Sequence, residues 1–141
     1  MVEQDILLAK VSIIKRCLDR IWKVTKSDPG NLDNFDVQDI FVLNLQRAIQ
    51  AAIDLASHLI ASEGWGVPET LKANFDLLHL NGVYDANLAK KLKSMVGFRN
   101  IAVHDYQGLD VDILKSILRS NLGDLETFYK ILLKKYSNNQ D

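Results

Sequence analysis

Asn44-Leu45-Gln46-Arg47-Ala48-Ile49-Gln50-Ala51-Ala52-Ile53-Asp54-Leu55-Ala56 carries Leu45, Ile49, Ala52, Ile53 and Ala56 at three- and four-residue intervals, the spacing of one α-helical face. Followed outward, the pattern predicts a helix from near Asp36 to about Glu63. Ile60 extends its stripe, and Gly64 and Gly66 end it. Asp39 stands in its first turn, where an acid complements the helix dipole. No segment of useful length alternates with period two, so no sheet is expected and the fold class is all-α.

The flanking segments repeat the same spacing. A first helix is expected over roughly residues 3 to 26, with a stripe of Leu7, Val11, Ile14, Cys17 or Leu18, Ile21 and Trp22; Asp28-Pro29-Gly30 breaks it. Pro68 suits the first turn of a short third helix bearing Leu71, Phe75 and Leu78, closed by Asn81-Gly82. Asp85 caps a fourth helix carrying Leu88, Leu92, Met95 and Val96. A fifth starts at Asp110, with Leu109 and Leu114 spaced as a hydrophobic staple, and continues through Ile117, Leu118, Leu125, Phe128 and Leu132. The polar tail from Ser137 to Asp141 is expected to fray. The expectation is a five-helix bundle with an up-and-down core and a short third helix, one domain over residues 1–141.

The chain has 141 residues and 48% apolar composition, enough to bury a core without disulfides or a structural metal. Its net charge of −1 does not mark a nucleic-acid binder, so any RNA site must be local. The single cysteine, Cys17, excludes an internal disulfide and a cysteine-rich zinc site, and reads as a buried thiol. The start, Met1-Val2-Glu3-Gln4-Asp5, is acidic where a signal peptide is basic and then apolar. With no apolar run of membrane-spanning length, the expected location is the cytoplasm.

One segment carries chemistry. Phe98-Arg99-Asn100-Ile101-Ala102-Val103-His104-Asp105-Tyr106-Gln107-Gly108 gathers an arginine, an amide, a histidine, an acid and a tyrosine at the end of the fourth helix. Arginine offers a fork of donors that fits phosphate oxygens. Histidine titrates near neutrality and serves as general acid or base. Asn100 either orients the imidazole or donates to a phosphate. The set lacks the oxygen cluster that magnesium prefers. It suits attack of a ribose 2′-hydroxyl on the adjacent phosphorus, with arginine stabilising the phosphoryl charge. Geometry sets a condition, because Arg99 and His104 stand about 140° apart around one continuous helix. Either the helix ends before His104, or a two-fold dimer brings both pairs into a shared cleft. The commonness of isologous pairs favours the dimer.

Arg99-Asn100-Ile101-Ala102-Val103-His104-Asp105-Tyr106 resembles the Arg-x4-His-x-Tyr signature of HEPN proteins of the HepT toxin family. The similarity extends through Asn44 to Ala56 and over nearly the whole chain. It implies a five-helix HEPN bundle that dimerises with both signatures facing one cleft. It further implies an endoribonuclease that needs no metal or other cofactor, with Arg99 and His104 catalytic. The implied partner is an MNT-type nucleotidyltransferase antitoxin that transfers AMP to Tyr106. An anionic adduct there blocks RNA by bulk and charge, as phosphorylation does elsewhere. The alternative function is a non-catalytic helical module that binds RNA or the nucleotidyltransferase.

Other residues carry weaker signals. Lys90, Lys91 and Lys93 lead along the fourth helix toward Arg99, as a guide for an RNA backbone or as a solvated face. Asp54 and His58 are four apart and would make half a metal site; opposite the apolar stripe, they read as a solvated polar pair. His79 reads as local packing or capping. Lys134 and Lys135 complement the last helix dipole. Trp22 and Trp65 show no evident chemical role; for Trp65, in a loop between two glycines, the alternative is an exposed partner contact.

Overall fold

The computed structural model describes residues 2–138. Its helices are α1 (Gln4–Thr25), α2 (Phe35–Glu63), α3 (Ala73–Leu80), α4 (Ala86–His104), α5 (Val111–Ser120) and α6 (Leu122–Tyr136). Single 3-10 turns cover Pro29–Asp33 and Tyr106–Gly108. Among the described residues there is no strand. Of the expected frayed tail, residues 139–141 lie outside the described residues.

The helix starts follow the capping chemistry. Asn34 opens α2 by accepting from the Asp36 and Val37 amides, one residue ahead of the expected start. Asp85 accepts from Leu88 N–H to open α4, and Asp110 from Asp112 N–H to open α5. At the end of α2, Gly64 takes the left-handed conformation (φ 68°), which costs a glycine nothing. That turn folds Trp65 back, its N–H donating to Ile60 C=O at 3.0 Å. Trp65 therefore packs on the core, which removes the alternative of an exposed contact.

Helix α2 is the hub and packs against α1, α3, α4, α6 and the Pro29–Asp33 turn. Its burial extends beyond the expected stripe to Phe41, Val42, Asn44, Ala48, Ala51, Leu55 and Leu59, because the alanines let neighbouring helices approach from several sides. One apolar cluster joins α1 to α6, with Ile14, Ile21, Phe41, Leu45, Phe75 and Phe128 fully enclosed. Phe128 meets Phe75 edge-on at 5.7 Å and Tyr84 at 6.3 Å. Tyr84 anchors that group by donating to Phe75 C=O at 2.8 Å. Phe128→Ala is expected to cost ~3–5 kcal/mol, read as an earlier urea midpoint with an unchanged slope.

Two expectations are corrected. The fifth helix is two, so the bundle has six helices. At Ser120-Asn121-Leu122-Gly123 three of the four residues, Ser120, Asn121 and Gly123, are poor helix formers. Asn121 (φ −116°, ψ −18°) leaves the helical path, and its C=O takes a tight bond from Asp124 N–H. The bend lays α5 on the Pro29–Asp33 turn, where Lys115 pairs with Asp33 at 2.8 Å, while α6 packs on α1, α2 and α4. Helix α3 begins at Ala73, so Pro68 lies in the preceding loop and Leu71 stays at the surface. Proline holds Val67 out of the helical region, and Thr70 Oγ1 instead caps the chain by accepting from Ala73 N–H.

Candidate active site at the end of helix α4

Helix α4 runs unbroken through His104 and stops at Asp105 (φ −150°, ψ 67°). Phe98 and Ala102, four apart, are buried and fix which face looks inward. Arg99 and Asn100 are then half-buried, and Ile101, Val103 and His104 are exposed. Because the helix persists, His104 does not swing round to Arg99 within one chain. Of the two arrangements open at the sequence level, the early helix end is removed.

Arg99 Nη1 donates to Asn100 Oδ1 at 3.1 Å. Asn100 therefore steadies the guanidinium and is not bonded to the imidazole four residues on. Arg99 Nε is buried without a hydrogen-bond partner, and among the described residues no carboxylate pairs with the guanidinium. Its charge is thus uncommitted, as phosphate recognition requires.

Tyr106 follows in the 3-10 turn, pinned by Asp105, whose carboxylate accepts from Gly108 N–H at 3.2 Å and occupies the space a Gly108 side chain would need. The Tyr106 hydroxyl donates to Asp39, the fifth residue of α2. Both flank a cavity of about 360 Å³ shared with Phe35, Gln38 and Gln107. Burial and the Asp39 carboxylate push the Tyr106 phenol up to about 12 from 10.0, so it stays a neutral donor through the physiological range. Asp39→Asn removes the smaller, anionic part of this effect. It is expected to move one tyrosinate transition to lower pH, seen as a difference in phenolate absorbance between the two proteins. Asp39 is the residue the sequence reading missed: it was taken for a dipole partner, and nothing in local spacing joins positions 67 residues apart.

Of the lysines on α4, Lys91 leans toward Asp124 at 3.9 Å and Lys93 pairs with Asp76 at 3.0 Å, tying α4 to α6 and α3, while Lys90 is exposed. Asp54 and His58 are corrected from a solvated pair to contacts with the α1 side. Asp54 pairs with Lys10 at 3.2 Å, and His58 Nε2 accepts from Glu3 N–H at 3.1 Å. His79 Nδ1 lies 2.9 Å from Tyr84 C=O, the local capping expected of it. Among the described residues no group of three His, Cys, Asp or Glu gathers into a metal site, and no helix is long and apolar enough to cross a membrane. Burial pushes the Cys17 thiol up and keeps it protonated.

Against known families, residues 14–132 match the model for Ribonuclease HepT-like proteins. The chain belongs to the HepT-like ribonuclease family. This HepT-like chain is 40% identical to the mRNA nuclease HepT of Shewanella oneidensis over 91% of its own length and 96% of that protein. It is 31% identical to the tRNA nuclease HepT of Aphanizomenon flos-aquae over 77% of its length and 75% of that protein. Its helices superpose on a tri-AMPylated Shewanella oneidensis HEPN toxin in complex with an MNT antitoxin, with TM-score 0.87 and 40% identity, over 92% of this chain and 98% of that one. A toxin–antitoxin structure with AMP-PNP matches at TM-score 0.86 and 40% identity, over 91% of this chain and 97% of that one. The sixth helix is thus a bend within the HEPN helical fold.

Proposed function

We propose that this HepT-like ribonuclease is the toxin of a HEPN/MNT toxin–antitoxin pair, a single HEPN domain over residues 1–141. It acts in the cytoplasm as a homodimer that cuts RNA without a metal. The observation that carries this reading is an uncommitted Arg99 guanidinium on the same unbroken helix as an exposed His104. Two such helices facing one another bring the arginine of each chain to the histidine of the other. Exposed Ile101 and Ile113 border an apolar groove of about 450 Å³ between α4 and α5, a surface suited to a second copy.

In the proposed reaction His104 takes the proton of the ribose 2′-hydroxyl, whose oxygen attacks the adjacent phosphorus. The 5′-oxygen of the next nucleotide leaves with the proton handed on from the His104 imidazolium, and a 2′,3′-cyclic phosphate remains. Arg99, held by Asn100, stabilises the charge on the non-bridging oxygens. Silencing uses Tyr106. Its oxygen attacks the α-phosphorus of ATP held by the MNT nucleotidyltransferase, pyrophosphate leaves, and Asp39 accepts the phenolic proton. The match to a tri-AMPylated relative in complex with an MNT antitoxin supports AMP transfer as the means of silencing.

The composite site has a decisive test. Arg99→Ala and His104→Ala homodimers are each expected to be inactive, with EDTA present throughout. Mixing them equally forms heterodimers in which one of two sites is intact, restoring about a quarter of wild-type cleavage after random exchange. Restoration to background only would place both residues in one chain's site. Wild type that yields no cyclic-phosphate ends would leave the chain an RNA- or nucleotidyltransferase-binding module.

A further inference from the structure

A groove of about 570 Å³ lies between α1 and α2, away from the signature. Arg16 and Arg20, four apart on α1, face Arg47 of α2 across it. Among the described residues none of the three pairs with a carboxylate. The acid lining the groove, Asp54, is taken up by Lys10 at 3.2 Å, so the two cancel and three positive charges remain. Concentrating them in one groove of a chain whose net charge is −1 produces a local anion site. The same three arginines act on the buried Cys17 thiol between them, opposing the upward push of burial.

Between the arginines the floor is closed. Asn44 is 3% exposed, its Nδ2 donates to Ile40 C=O at 2.8 Å, and its Oδ1 is shut off from solvent. The guanidinium groups are therefore what the groove offers a ligand. A nucleotide strand presents successive phosphates, one for each guanidinium fork.

The groove continues past Arg20 and Asn44 into a depression with exposed Ile40 and Leu43, apolar surface for base faces.

We propose that the α1–α2 groove is an RNA-strand exosite, in which Arg16, Arg20 and Arg47 hold successive phosphates. It rests on the ribonuclease reading for its ligand, and its test is separable from that reading.

Binding is measured in the His104→Ala protein, so the RNA stays whole, using a fluorescein-labelled single-stranded RNA and the DNA of the same sequence. Joint Arg16→Ala, Arg20→Ala and Arg47→Ala replacement at these exposed positions is expected to lower the salt slope by about 2 and RNA affinity about a hundredfold at ~0.1 M salt. The DNA of the same sequence is expected to lose affinity in the triple variant as well, because the guanidinium forks meet phosphates common to both strands. With His104 restored, the triple variant is expected to raise KM for long RNA and to cut a dinucleotide, too short to reach the groove, as wild type does. Unchanged RNA affinity and salt slope in the triple variant overturn the exosite, including the outcome in which only dimer or antitoxin binding is lost. AMP displacing the RNA at a concentration near the RNA's own Kd overturns the strand assignment. If wild type cuts neither substrate but the binding losses appear as stated, the exosite stands and the catalytic reading fails.

Discussion

His104→Ala is expected to reduce RNA cleavage by about 10²–10⁴, the range for loss of a positioned general acid–base. Circular dichroism and dimer formation are expected to be unchanged, because the His104 side chain is exposed and makes no hydrogen bond among the described residues. Arg99→Ala is expected to cost about 10²–10³, comparable to removing a donor from a developing phosphoryl charge. Arg99→Lys is expected to recover little, because an ammonium lacks the fork that meets two oxygens at once. Asn100→Ala lets the guanidinium wander by removing its 3.1 Å acceptor, so its effect is expected to fall on kcat with the fold intact. A His104→Ala protein that cuts RNA at the wild-type rate would remove the acid–base assignment altogether.

Tyr106→Phe is expected to abolish AMP addition at this position while leaving RNA cleavage near wild type. Phenylalanine keeps the ring and removes only the oxygen that attacks phosphorus. Co-expression with the cognate nucleotidyltransferase followed by intact-mass measurement reads the result directly: AMP-sized steps in wild type, none in the variant. The same variant is expected to escape silencing and arrest growth despite the partner. An adduct of equal mass on Tyr106→Phe would move the modification to another residue. Asp39→Asn is expected to slow addition without preventing it. The hydroxyl remains, but the carboxylate that receives its proton is replaced by a neutral amide that still fixes its position.

The signature was legible because its residues are neighbours in the chain. Arg99, Asn100, His104 and Tyr106 fall within eight residues whose chemistry is visible from residue types alone. Asp39 and the arginine groove were not legible, because each is assembled by helix packing. Asp39 meets Tyr106 only after α2 and the Tyr106–Gly108 turn dock. Arg16 and Arg20 meet Arg47 only when α1 lies along α2. The lysines on α4 teach the converse: a charge run reads as a binding face until folding supplies Asp124 and Asp76 as partners for two of its members.

The apolar periodicity of Leu45 to Ile60, the caps at Asp85 and Asp110 and the breaker at Asp28-Pro29-Gly30 determined by themselves that the chain is helical and close to where its helices lie. These are local interactions, complete within a turn or two of backbone. Tertiary structure decided what becomes of the weak stretch at Asn121. Ser120, Asn121 and Gly123 lower the local helix propensity, and docking of α5 on one side and α6 on the other turns that weakness into a bend. It also decided that α4 continues straight to His104. Burial of Phe98 and Ala102 holds that last turn against the core, which keeps Arg99 and His104 on different faces of one chain.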